Sequence, residues 1–156
     1  MRLHLCAVGR LRQAPEALLT ADWLARAERT GRPLGLGPVR LHEVEDRRGA
    51  GMAAEAALLR RAVPPGAALV ALDERGQMLS SPDLAALIAG WRDAGRGDAA
   101  FVIGGADGLD PGLRTAADRV LSLGPMVWPH ALARAMLAEQ IYRATTILAG
   151  TPYHRV

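Results

Sequence analysis

Residues Ala67–Asp73 read AALVALD, an almost unbroken apolar run bounded by Pro64-Pro65-Gly66 on one side and by the charged Glu74-Arg75-Gly76 on the other. The run is too short for a helix and does not alternate, which is the pattern of a strand covered on both faces of a parallel sheet. Ala99–Ile103 (AAFVI) repeats it. Working outward, Ser81-Pro82-Asp83 supplies a helix start, with Ser81 as N-cap and proline at the first helical position, leading through Leu84, Leu87, Ile88 and Trp91. Asp110-Pro111 opens a short helix by the same logic, Val120–Leu123 returns as a strand, and Pro129–Ala149 is the longest helix, with Pro129 at its first position. Towards the amino terminus, Arg2–Val8 and Val39–Val44 read as strands and Met52–Val63 as a helix. The stretch Pro15–Thr30 carries Leu18, Leu19, Trp23, Leu24 and Ala27 at helical spacing, and Gly31–Pro38 breaks it. Five strands alternating with five helices predict a three-layer α/β sandwich with a largely parallel sheet, one domain over residues 1–156.

The composition agrees with a globular protein: half of the 156 residues are hydrophobic and 22% are charged, which excludes a disordered chain or a coiled coil. No apolar run reaches the roughly 18 to 20 residues of a membrane span, and Met1–Arg10 lacks the sections of a signal peptide, so no membrane partner and a cytoplasmic location are expected. One cysteine, Cys6, fits a reducing compartment and a buried strand position. The 19 basic residues are all arginine, against 16 acids, for a net charge of +3. Guanidinium groups suit bidentate phosphate contacts, whereas six aromatic residues are too few for an extended base-stacking platform.

In parallel α/β sheets ligands sit beyond the carboxyl ends of the strands. Three such ends draw notice. Leu72-Asp73-Glu74-Arg75-Gly76-Gln77 places an acid after a buried strand, and Ile103–Gly108 (IGGADG) places three glycines after another. The latter is neither a dinucleotide fingerprint nor a phosphate loop, since residues 106 and 109 are Ala and Leu and no lysine follows. Leu121–His130 (LSLGPMVWPH) can hold an adenine through free backbone groups in an apolar setting. Each alone also reads as an ordinary turn.

The last helix carries His130, Arg134, Glu139, Tyr142 and Arg143; spacing of four pairs His130 with Arg134 and Glu139 with Arg143, and spacing of three brings Tyr142 near Glu139. Leu132, Ala135, Met136 and Ile141 read as core or subunit interface. The chain then closes on Thr151-Pro152-Tyr153-His154-Arg155-Val156, where an aromatic ring, an imidazole and a guanidinium stand together. His4, His42, His130 and His154 are scattered, so no metal site is expected, and no nucleophile elbow is present.

Taken together, RLHLCAVG, LDERG, IGGADG, LSLGPM followed by PH, and the terminal AEQIYRATTILAGTPYHR resemble the RlmH family of ribosomal RNA methyltransferases, over nearly the whole chain and in the same order. That resemblance implies a SPOUT-type fold with a carboxy-terminal trefoil knot, a homodimer, and S-adenosyl-L-methionine held at Leu72, at Gly104, and at Leu123, Gly124, Pro125, Met126, Val127 and Trp128. It implies methylation of N3 of a pseudouridine in 23S rRNA of the assembled ribosome, with no metal. Gln77 stands where many relatives carry Lys, and Gly124-Pro125 where they carry a serine-containing turn.

Methyl transfer from a sulfonium is an in-line displacement, so donor and acceptor must be aligned and the imide nitrogen must lose its proton. With the resemblance, the expected catalytic set is His154, Tyr153, Arg155, Arg143 and Tyr142: His154 as base or RNA-positioning group, the arginines on phosphate or a developing oxyanion, and the tyrosines on the base. In the SPOUT arrangement this tail faces cofactor on the other subunit. Arg47, Arg48, Arg60 and Arg61 are further phosphate candidates. Two rival classes are a catalytically inactive ribosome- or RNA-binding module of the same fold, and a small-molecule enzyme with a nucleotide cofactor.

Overall fold

The structure, a computed structural model, describes residues 1–155. Its elements are β1 (Arg2–Val8), α1 (Pro15–Gly31), a 3-10 turn (Arg32–Leu34), β2 (Val39–Val44), α2 (Met52–Ala62), β3 (Ala68–Met78), α3 (Ser81–Asp93), β4 (Asp98–Ile103), α4 (Pro111–Thr115), β5 (Arg119–Ser122) and α5 (His130–Leu148). The strands form one sheet in the order β2-β1-β4-β3-β5, and every pairing is parallel.

The unbroken apolar strands have the predicted cause. Ala68, Val70, Ala99, Phe101 and Ile103 pack with Leu24, Ile88 and Ile141 from α1, α3 and α5, whereas Leu69, Ala71, Ala100 and Val102 pack with Leu59 and Leu113 from α2 and α4. Successive side chains of a strand point to opposite faces, so positions Ala68–Ala71 of β3 and Ala99–Ile103 of β4 each meet one helical layer or the other. Phe101 is fully buried, and its truncation to Ala is expected to cost about 3–5 kcal/mol. Cys6 lies in the second layer, where burial pushes its thiol up to about 12.

Four local expectations are corrected. The β3 strand does not stop at Asp73 but resumes to Met78, because Leu72 and Gln77 both register with Leu121 and the residues between them bulge out. Gly76 permits this: a Cβ there would lie 2.5 Å from the Leu121 carbonyl carbon. The α3 N-cap is Ser80 rather than Ser81, since Ser80 Oγ accepts from Asp83 N–H and the Asp83 carboxylate accepts from Ser80 N–H, both at 3.2 Å. Adjacent serines left that cap ambiguous by one residue. Pro129 is likewise the cap of α5 and His130 its first residue. Leu18 and Leu19 are 70% and 46% exposed, and the buried stripe of α1 is Thr20, Leu24, Ala27 and Gly31. Asp110 caps α4 as expected, accepting from Leu113 N–H at 3.0 Å.

Candidate functional site

Because every strand is parallel, the carboxyl ends of β3, β4 and β5 emerge side by side, and their loops line one cavity of about 530 Å³. Leu72 stands in β3 at the start of its bulge, Gly104 comes from the loop after β4, and Leu123, Gly124, Met126, Val127 and Trp128 from the loop after β5; Pro125 belongs to that last loop but does not line the cavity. The size suits a small-molecule ligand, for which pockets of roughly 300–1,000 Å³ are usual. Gly104 is required by packing within its own loop, since a Cβ would run into the Gly108 carbonyl group, 2.6 Å from its carbon. The polar end of the wall is set by Asp73, whose carboxylate accepts from Arg114 Nη1 at 3.1 Å and from Arg75 N–H at 2.9 Å. Trp128 presents the opposite case: its Nε1–H is buried and has no hydrogen-bond partner among the described residues.

The terminal residues assemble elsewhere, on the α1–α5 face. Glu139 is the hub: it accepts from Arg143 Nη2 at 2.5 Å and from Tyr153 Oη at 2.8 Å. The Arg143 guanidinium lies 4.8 Å from the centre of the Tyr153 ring and its Nη1 is 3.4 Å from His154 Nδ1. Burial, then the Glu139 carboxylate, pushes the Tyr153 phenol above its usual pKa, and the Glu139 hydrogen bond raises that of Arg143. The structure thus gathers Arg143, Tyr153 and His154, while Arg155 is exposed and makes no such contact among the described residues. Tyr142 departs from expectation: its ring stacks on Trp23 at 5.5 Å and lies 4.7 Å from Tyr153, leaving Glu139 to Tyr153. None of these five residues lines the loop cavity of the same chain.

Between the two regions lies an apolar groove of about 680 Å³, lined among others by Leu19, Trp23, Leu84, Leu132, Met136 and Glu139. It shares Ser122, Leu123 and Gly124 with the loop cavity, so the β5 loop is the wall between them.

Sequence reasoning missed three arrangements. Trp23, read only as one of the helically spaced residues of α1, packs against the core and also meets the rings of Tyr142 and Tyr153. Arg134 does not pair with His130; it is fully buried and donates to Glu43 at 2.6 Å and to the Val8 and Gly9 carbonyls at 2.8 and 2.9 Å. Burial lowers its pKa, opposed by Glu43. His4 and His42, far apart in sequence, meet at 3.0 Å, with Asp98 2.8 Å from the other His4 nitrogen. Helical spacing cannot show any of these, because each joins different elements. Among the described residues no group of three or more His, Cys, Asp or Glu could hold a metal ion, and no helix is long and apolar enough to cross a membrane.

The chain matches the family described as "Predicted SPOUT methyltransferase" over residues 1–154. It is 72% identical over 155 residues to ribosomal RNA large subunit methyltransferase H of Paracoccus denitrificans, covering 99% of each chain, and 64% identical over 156 residues to the protein of that name from a Ruegeria species, covering 100% of each. Among solved structures, a probable methyltransferase of Bordetella pertussis shares the fold with a TM-score of 0.50 at 16% identity, covering 92% of this chain and 96% of that one. A probable methylase family protein of Haemophilus influenzae gives 0.51 at 15% identity, covering 99% and 70%. With its parallel sheet, its loop cavity and full-length relatives of this kind, the chain belongs to the SPOUT methyltransferase family, in the group of ribosomal RNA large subunit methyltransferase H.

Proposed function

We infer that the protein transfers a methyl group from S-adenosyl-L-methionine to N3 of a pseudouridine in 23S rRNA of the assembled ribosome, as a cytoplasmic homodimer built from one SPOUT domain per chain. The observation that carries the reaction class is the convergence of the β3, β4 and β5 loops on one cavity in a chain of this family. The RNA substrate is supported by the names of the full-length relatives.

The cavity fits the cofactor. Leu72, Met126, Val127 and Trp128 offer an apolar wall for an adenine, Trp128 Nε1–H is a buried donor in want of an acceptor, and Asp73 and Arg114 supply charge. Leu72, Gly104, Leu123, Gly124, Met126, Val127 and Trp128 would hold it, largely through backbone groups, with Pro125 shaping the loop. When bound, S-adenosyl-L-methionine supplies an electrophilic methyl on a positively charged sulfur. Arginine can only donate, so its contact with His154 Nδ1 leaves the proton of the neutral ring on Nε2. His154 then presents an N–H towards a base carbonyl, which favours positioning of RNA over proton abstraction, and the N3 proton leaves to water. Tyr153, held by Glu139 and Arg143, offers a ring face for stacking, and Arg155 is free for phosphate.

The homodimer is supported by the apolar groove and by exposed Leu19 and Met78, 46% and 68% exposed, beside it. A second copy is also what brings a tail to a loop cavity that its own chain leaves without one. The trefoil knot is supported by the doubled β3–β5 register and by the tight passage of Gly76 against Leu121. The test is transfer of labelled methyl from S-adenosyl-L-methionine to ribosomes lacking the modification, with free 23S rRNA alongside and the product nucleotide identified by mass spectrometry. Label on N3 of a pseudouridine, in ribosomes and scarcely in free rRNA, is expected; cofactor binding without transfer to ribosomes would contradict the reading.

A further inference from the structure

Four arginines outside the loop cavity and the tail share the sheet edge on which the cavity opens. Val8 registers with Val44 and Ala7 with Ile103, and Gly9 N–H donates to the Val44 carbonyl at 2.8 Å. The segments after β2, β1 and β4 therefore leave in a row, about 4.8 Å per strand, so the loop 9–14 (GRLRQA) stands one strand from the glycine loop and the loop 45–51 (EDRRGAG) two. Arg10, Arg12, Arg47 and Arg48 are all exposed. Arg47 has only a loose contact with Glu45 at 3.7 Å, and the side chains of the other three have no hydrogen bond or ion pair among the described residues.

Both loops are held in shape by other residues. Arg134 donates to the Val8 and Gly9 carbonyls and to Glu43, and Glu43 in turn accepts from Leu11 N–H at 3.1 Å, which fixes the backbone on both sides of Arg10. The Asp46 carboxylate accepts from Arg48 N–H at 3.1 Å and from Ala50 N–H at 2.5 Å. Glu43 and Asp46 are thus occupied, and Glu45 is the acid left facing the patch. Loops ordered beforehand lose little entropy on binding, and guanidinium forks match phosphate oxygens.

Resting on the methyltransferase reading above, we propose that Arg10, Arg12, Arg47 and Arg48 form a phosphate-binding edge that grips the RNA backbone flanking the target base. The test is binding of purified ribosomes over a salt series by wild type, by the variant R10A/R12A/R47A/R48A, by its lysine counterpart R10K/R12K/R47K/R48K, and by R29A/R32A, which removes two exposed arginines near the far end of α1. The alanine variant is expected to bind on the order of tenfold or more weakly, with a salt slope smaller by about one for each phosphate it no longer neutralises. The lysine variant and R29A/R32A keep the wild-type slope, and all bind S-adenosyl-L-methionine alike. An alanine variant with wild-type affinity and slope overturns the proposal and leaves the methyltransferase reading intact. A wild-type protein that neither binds nor methylates ribosomes overturns both.

Discussion

In the loop cavity the backbone shapes the site, and its most constrained position is Gly104, where a methyl group has no room. In the terminal cluster the side chains do that work, through a carboxylate shared by a guanidinium and a phenol and a stack of Trp23, Tyr142 and Tyr153. The first region is sensitive to shape and tolerant of side-chain chemistry. The second has the opposite sensitivity, because its contacts are specific polar pairs and ring-on-ring packing.

The sharpest way to break that contrast is Gly104→Ala, a change of one methyl group. It forces the loop away from the Gly108 carbonyl group, and titration calorimetry is expected to show S-adenosyl-L-methionine affinity reduced on the order of 100-fold, about 2.7 kcal/mol. Unchanged affinity would mean that the loop's tight backbone packing does not shape the binding site.

Glu139→Gln probes the other region. It keeps the shape but removes the charge that holds Arg143 and Tyr153, and charge-assisted hydrogen bonds contribute about 1.5–3 kcal/mol. Turnover on ribosomes is expected to fall about 10- to 100-fold with cofactor affinity unchanged. A loss of cofactor affinity instead would show that the two regions are not separable.

The smallest effect is a pH response confined to the tail. Tyr153 has a folded-state pKa above its unfolded value of about 10. The folded state therefore keeps the proton longer, and the docking contribution is full below pH 10 and disappears as pH rises through the folded value. Trp23, 6.1 Å from Tyr153, reports this by fluorescence. Its signal is expected to change in that range in the wild type and not in Tyr153→Phe, while thermal stability of the sheet core stays the same.

The two regions also differ in how much of each could be read from sequence. The fold and the loop cavity were legible because AALVALD and AAFVI mark central strands covered on both sides, and a parallel sheet sends its strand ends to one edge. The DERG bulge was not legible, since charged residues around a glycine look the same in a turn and in a strand that resumes. The Glu139–Arg143 pair lies within one helix and followed from spacing, whereas Glu139–Tyr153 and Trp23–Tyr142 join distant segments. Leu18 and Leu19 misled for a related reason: helical periodicity finds an apolar face but not whether the same chain covers it.

The central claim is that a tail completes the loop cavity of the partner subunit, and mixing two inactive variants tests it most directly. One chain carries Gly104→Ala and the other Arg143→Ala with His154→Ala; with S-adenosyl-L-methionine held at the wild-type Kd each is nearly inactive alone, and the mixed dimer retains one intact loop cavity facing one intact tail. Random mixing of equal amounts makes half the dimers mixed, each with one of two sites, so methyl transfer to ribosomes is expected to return to about a quarter of the wild-type rate. A mixture in which native mass spectrometry shows mixed dimers, yet methyl transfer stays at the level of the separate variants, would contradict the account.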